Sequence, residues 1–304
     1  MRVIITGPTG AIGIALIQEC IKNNVEVLAI CRKNSKRRKN IPRSPLVDIL
    51  ELNLDEYHLY EPQNIQKCDV FFHFAWNATI GNGRNDMMLQ NENVRYALDA
   101  VLLAKKLGCN TFIGAGSQAE YGRSNEKLTS KTPTFPENGY GIAKLCAGQM
   151  TRIMCQQQNM RHVWMRILSI YGPHDGEMTM VSSTIKKLLN GEVPQFTKGE
   201  QMWDYLYSKD AARAMLLLAE KGKNGKIYCI GSGQKRPLAE YIQDIRDAID
   251  PALNLDLGAI EYSSNQVMYL CADIDELTKD TGFVPTTKFK DGIKETIMWM
   301  KNKK

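Results

Sequence analysis

The sequence predicts an α/β protein: a doubly wound parallel sheet with a smaller mixed lobe at its C-terminal end. Three observations carry this expectation. The chain opens on an apolar run that breaks into glycines at 7, 10 and 13. Strand-like runs and helical spacings then alternate through the first half. After Tyr171-Gly172-Pro173 the texture changes to helices mixed with short strands. Alternation at this spacing places helices on both faces of a parallel sheet.

The elements follow in order. Val3, Ile4 and Ile5 form a short apolar run of the kind found in buried parallel strands. Ile14, Leu16, Ile17 and Ile21, set among Ala15, Gln18 and Glu19, have helical spacing. Further strands are read at 25–30, 46–54, 69–75, 111–115 and 162–167. A long helix is read at 85–107, closed by Gly108 as its C-cap, and a second at 139–158. Helices at about 178–190, 208–220, 237–249 and 288–301, with short strands near 194–197, 203–207 and 226–230, make up the remainder. The expected division is 1–172 for the sheet domain and 173–304 for the smaller lobe, interleaved and without a clean linker. Residues 301–304 read as a solvated tail.

Composition narrows the class. A chain of 304 residues, 43% hydrophobic and 24% charged, is an ordinary globular composition able to bury a large core. No apolar run is long enough to span a bilayer. Glycines interrupt the N-terminal stretch where a signal peptide would be continuous, so a cytoplasmic protein is expected. The eight cysteines form no C-x-x-C pair and read as reduced, buried residues. The four histidines lack ligand spacing, so no metal site is proposed. The net charge of +6 gathers in Arg32, Lys33, Lys36, Arg37, Arg38, Lys39 and Arg43. That run sits in a loop without interleaved aromatics, which argues against nucleic-acid binding.

Two local patterns carry chemistry. A strand, a glycine turn and a helix starting together gather free backbone N–H groups at the positive end of the helix, a site for a diphosphate. Gly7 permits the turn, Gly10 lets a ligand approach the backbone, and Gly13 lets helix and strand pack closely. The pattern therefore points to a dinucleotide. Tyr140 and Lys144 lie four apart on one helix, so the ammonium is expected near the phenol, lowering its pKa and fitting it for proton transfer. Ser117 follows the fifth strand, where its hydroxyl can bridge a substrate oxygen to that phenol.

Together these pieces resemble the extended short-chain dehydrogenase/reductase family, the NAD(P)-dependent nucleotide-sugar epimerases, dehydratases and reductases. The resemblance covers almost the whole chain. Gly7 to Gly13 resembles the family's G-x-x-G-x-x-G, and Phe72-His73-Phe74-Ala75 its H-x-A strand end. Asn93 stands at the place of its central-helix asparagine. Ser117 to Gly122 is similar to S-x-x-x-Y-G, and Tyr140 to Lys144 to Y-G-x-x-K. Residues 166–173 resemble R-x-x-N-x-Y-G-P, and 203–210 resemble R-D-x-x-x-V-x-D. The resemblance implies a Rossmann-like fold and hydride transfer to or from a nicotinamide. Tyr140 would be the acid/base, Lys144 the ribose anchor, and Ser117 the group that orients the sugar oxygen. It further implies cofactor contacts from Gly7, Thr9, Gly10, Ala11, Ile12, Gly13, Arg32, Asn53, Leu54, Phe74, Ala75, Trp76, Asn93, Tyr140, Lys144 and Leu168. Substrate contacts are implied for Trp76, Gln118, Ser169 and Trp203. The family's long helices often pair across a dimer axis, and Leu98, Val101 and Leu102 would permit a homodimer here.

Cofactor choice turns on the end of the second strand. NAD enzymes of this build place an acid there for the ribose, whereas Cys31 and Arg32 stand at that place here. A guanidinium can grip a 2′-phosphate that a carboxylate would repel, so NADP is expected, with NAD as the alternative. Other departures bear on the substrate. Gln118-Ala119 replace the acidic pair of the family's dehydratases, which disfavours a 4,6-dehydratase. Ser169 and Trp203 replace an asparagine and an arginine that meet a nucleotide diphosphate, leaving Arg84, Lys186, Lys187 and Lys198 as candidate partners. The leading expectation is an NADP-dependent reductase of a nucleotide-linked 4-keto (deoxy)sugar. An NAD-dependent 4-epimerase is the alternative, and a non-catalytic NAD(P)-sensing protein a third reading.

Overall fold

A computed structural model describes residues 1–63 and 66–302. Of the expected tail, residues 303 and 304 lie outside the described residues. Six strands of the first half are β1 (Arg2–Thr6), β2 (Glu26–Cys31), β3 (Val47–Glu51), β4 (Val70–His73), β5 (Thr111–Ser117) and β6 (Arg161–Ile167). Three helices matter most here: α1 (Ala11–Lys22), α2 (Met87–Lys106) and α3 (Gly139–Gln157). The main sheet has seven strands, all parallel. Its order is Lys226–Ile230, β6, β5, β4, β1, β2, β3. The architecture is therefore Rossmann-like.

The alternation of side chains along each strand builds two cores. Val3 and Ile5 of β1, with Val27 and Ala29 of β2, face α1 and the helix Ser208–Lys221. Ile4, Leu28, Ile30, Phe71 and Phe112 point the other way, onto Ala100, Leu103 and Ala104 of α2. Each such Val, Leu, Ile or Phe side chain, fully buried, contributes about 1.5–3 kcal/mol. Strand order reverses between β1 and β4, and the crevice beyond their carboxyl ends is where such sheets bind ligands.

Three details correct the sequence reading. The strand at 226–230, expected in the smaller lobe, pairs with β6 and completes the main sheet, since Ile230 and Tyr228 bury there. The third strand stops at Glu51, so Asn53 and Leu54 lie in the turn after it, where Asn53 caps a short 3₁₀ segment. Val101, expected on the outer face of α2, is buried in the core, while Leu102 is exposed.

The smaller lobe is held by Ile185, Leu188, Ile245, Ile293 and Ile297 around Tyr171 and Tyr207. Its short strands couple distant segments: Ser169–Tyr171 pairs with Tyr205–Tyr207, and Met202–Trp203 with Arg236–Pro237. Among the described residues no helix is long and apolar enough to cross a membrane.

Candidate active site

The glycine turn is built as its residues demand. Gly7 has φ +65°, the left-handed region, and a Cβ there would press on the Ala75 nitrogen at 3.0 Å. Gly10 is the N-cap of α1, and Ala11 and Ile12 open its first turn. A Cβ on Gly13 would lie 2.8 Å from Pro8 Cα and closer still to the Gly7 carbonyl oxygen, so α1 can seat only on a glycine. Gly10 differs: an added Cβ would meet nothing nearer than 4.0 Å, so it would project into open space. That space suits a diphosphate lying against the helix end.

Thr6 fixes the facing wall. Its hydroxyl oxygen accepts from the Phe74 and Ala75 N–H groups at 3.0 and 3.1 Å. The same hydroxyl is hydrogen-bonded to His73 Nδ1, 3.1 Å away. Burial, with Lys144 nearby, pushes the pKa of His73 down to about 3, so its ring is neutral.

A cavity of about 550 Å³ opens between these walls. Of the residues named from the sequence, Gly7, Thr9, Arg32, Asn53, Leu54, Phe74, Ala75 and Trp76 line it. So do Pro8, Ser35, Arg37, Asp55, Tyr57 and Tyr96, which the sequence reading missed. Arg37 belonged to the basic run and carried the right signal; the others have no local signature. Gly10, Ala11, Ile12, Gly13, Tyr140 and Lys144 stand outside this lining, at the starts of α1 and α3, and Asn93 and Leu168 are turned to other partners. Asn93 is 1% exposed, and its amide clasps the backbone of Asn77 through bonds of 2.9 and 3.0 Å. It fixes the loop after β4 and does not line the cavity. The Leu168 side chain packs into a core with Tyr121, Leu128, Cys229 and Leu270.

The chemical groups converge beside this cavity. Ser117 ends β5, and Tyr140 and Lys144 stand in the first turns of α3, whose N-cap Asn138 accepts from the Gly141 N–H at 2.9 Å. Tyr140 meets the Trp76 ring edge-on at 6.3 Å. Lys144 is buried, donates to the Ala115 carbonyl at 2.7 Å, and lies 3.7 Å from the centre of the Trp76 ring.

The electrostatics differ from the expectation. Burial pushes the Tyr140 phenol above its ordinary value; its hydrogen bond with Ser117 and the nearby Arg84 charge pull against this, while Glu120 adds to it. Lys144 is itself pushed down to about 7 by burial, so near neutrality it is only partly charged. Lysine spacing along a helix does not reveal that desolvation cost.

Glu120 is the group whose importance the sequence concealed. Fully buried, it accepts from the Ser117 N–H at 2.8 Å, the Trp164 indole at 3.0 Å and Arg166 Nε at 2.7 Å. It thereby holds the strand end that carries the Ser117 hydroxyl.

On the substrate side, the Trp203 indole donates to the Ser169 hydroxyl at 2.8 Å. Gln118 is half-buried in the turn directly after Ser117. Lys186 is engaged by Glu177 at 3.1 Å.

Comparison with known proteins bears on the fold and the family. A protein of Methanocaldococcus jannaschii assigned as a UDP-glucose 4-epimerase is 25% identical over 310 residues, covering 99% of this chain and 98% of that protein. A UDP-N-acetylglucosamine 4-epimerase from Methanobrevibacter ruminantium M1, solved with UDP-N-acetylmuramic acid, superposes with a TM-score of 0.89 at 22% identity. That match covers 100% of this chain and 99% of the other. A UDP-glucuronic acid 4-epimerase from Bacillus cereus, solved with NAD, gives 0.84 at 19% identity over 99% of both chains. At such identities these structures share the fold. The model of the NAD dependent epimerase/dehydratase family matches residues 3–231, which span the glycine turn, Ser117, Tyr140 and Lys144. The chain thus belongs to that family, within the extended short-chain dehydrogenase/reductases.

Proposed function

We propose that this protein is an NADP-dependent reductase of a 4-keto (deoxy)sugar carried on a nucleotide. The observation that carries the reading is the convergence of Ser117, Tyr140 and Lys144 beside a cavity rimmed by Arg32 and Arg37. A nicotinamide dinucleotide, when bound, supplies the hydride. Gly7, Thr9 and Gly10 would hold its diphosphate at the start of α1, and Lys144 a ribose hydroxyl. Arg32 has no partner among the described residues, and with Arg37 it would grip a 2′-phosphate.

The remaining steps belong to the chain itself. Ser117 donates a hydrogen bond to the substrate carbonyl and orients it. Tyr140 gives its phenolic proton to that oxygen as charge develops there. The raised pKa of the phenol keeps it protonated near neutrality, the state that a reductive proton donor needs. Burial beside Trp76 keeps bulk water from competing for the oxygen.

The alternative is a 4-epimerase, favoured by the relative of that name that matches 99% of the chain. The same three residues serve it. Incubation with NADPH and a panel of nucleotide-linked 4-ketosugars, and in parallel with NAD and the corresponding 4-hydroxy nucleotide sugars, decides. Stoichiometric NADPH oxidation, lost in Tyr140→Phe, is expected; turnover of a nucleotide sugar with no net change in cofactor would replace the reductase reading by epimerisation. Dimerisation through the faces of α2 and α3, where Leu102, Ile142, Met150 and Ile153 are exposed, is part of this proposal. A monomer in sedimentation would remove it.

A further inference from the structure

We propose that Arg84 is the residue that tunes Tyr140, its guanidinium lying over the phenol ring and favouring the ionised oxygen. The inference rests on the reading of Tyr140 as the proton-transfer group and adds what sets its readiness. Arg84 Cζ is 4.3 Å from the ring centre, whereas Lys144 Nζ is 5.8 Å from it and lies closer to the Trp76 ring, donating to the Ala115 carbonyl.

The placement is built. Arg84 sits in the 3₁₀ turn Asn82–Asn85. Buried Gln90 anchors that turn by donating to the Ala78 and Gly83 carbonyls at 3.1 and 2.9 Å. Asn85 accepts from the Gly139 N–H at 3.0 Å, tying the turn to the start of α3. A Cβ on Gly139 would strike Met87 Sδ at 2.8 Å and the Arg84 carbonyl at 3.0 Å, so turn and helix are in direct contact. Arg84 Nη1 also donates to the Thr79 carbonyl at 3.0 Å, which orients the plane over the ring.

Four groups face the phenol from the elements packed around it: Ser117 from β5, Glu120 from the turn after it, Lys144 from α3, and Arg84. Only the last is a guanidinium, which keeps its charge at any pH the protein meets. Lys144 shares its charge with a buried site that opposes it. An opposite charge at this range lowers an acid's pKa by about one unit or more.

The test needs neither substrate nor cofactor. Tetranitromethane attacks the phenolate, so at mildly alkaline pH the nitration rate of Tyr140, followed by peptide mass spectrometry, reads the ionised fraction. In Arg84→Met the rate is expected to fall about tenfold, the equivalent of one pKa unit, with Arg84→Lys between it and the unaltered protein. An arginine that merely shields the ring predicts the opposite sign, because its removal would expose the phenol. An equal or faster rate in a folded Arg84→Met or Arg84→Gln protein overturns the proposal. Loss of the reductase reading would show instead as full turnover by Tyr140→Phe, which leaves the nitration result standing.

Discussion

Two glycines three residues apart should fail in different ways, and the contrast tests the cradle directly. In Gly13→Ala the new methyl meets only backbone, that of Gly7 and Pro8, so α1 must shift relative to the turn. Overpacking of this kind costs about 1–3 kcal/mol, here near the upper end because no flexible side chain can yield. Better helix propensity returns up to about 1 kcal/mol. The net loss is about 2 kcal/mol, roughly 3 °C in melting temperature for a chain of this size. In Gly10→Ala the backbone angles, φ −87° and ψ 170°, suit alanine, and the methyl touches nothing in the protein. Only the weaker cap is felt, roughly 0.5–1 kcal/mol. The methyl occupies the space where the diphosphate would lie, so the Kd for NADPH is expected to rise at least about tenfold. Calorimetric melting of the free proteins and titration with NADPH measure both quantities. Equal melting losses in the two variants, or unchanged NADPH affinity in Gly10→Ala, would refute the reasoning.

Three further outcomes are expected. Glu120→Ala leaves Arg166 as an uncompensated buried charge and should cost about 3–5 kcal/mol in urea unfolding; Glu120→Gln, which keeps an acceptor for the Ser117 N–H, should cost less, and equal losses would contradict this. Arg32→Ala should lower affinity for NADPH by about tenfold or more while sparing NADH, since a charged hydrogen bond is worth about 1.5–3 kcal/mol; parallel losses for both cofactors would detach Arg32 from the 2′-phosphate. His73 and His162 have pKa values pushed down to about 3 and about 4 by burial. Below the ordinary value of 6.5 the unfolded chain binds protons that the fold refuses, so their contribution, complete above that pH, is lost as pH falls toward 4. The slope should be about 1.4 kcal/mol per histidine per pH unit, and a flat stability profile between pH 6.5 and 4 would exclude it.

How far each part of the site could be read from the sequence follows from how local its causes are. The glycine turn and the Tyr140–Lys144 pair are set within a few residues, by backbone angles and helix pitch, and their geometry in the fold is as their spacing implies. Membership of Lys226–Ile230 in the main sheet depends on pairing with β6, about sixty residues earlier, so its local apolar pattern could not place it. The same holds for Asn93, read as a ligand contact because of its position yet bonded to the Asn77 backbone, and for Trp203, whose indole donates to Ser169 across more than thirty residues.

Tyr140 shows the limit most clearly. Helical spacing correctly brings a lysine near its ring, but it says nothing of depth, and depth reverses the electrostatics: the same burial that raises the phenol lowers the ammonium meant to assist it. The compensating cation comes from a turn more than fifty residues away in sequence, fastened to the start of α3 through Asn85. A motif therefore names candidate atoms, while the charge around them is set by whichever segment the fold lays across them.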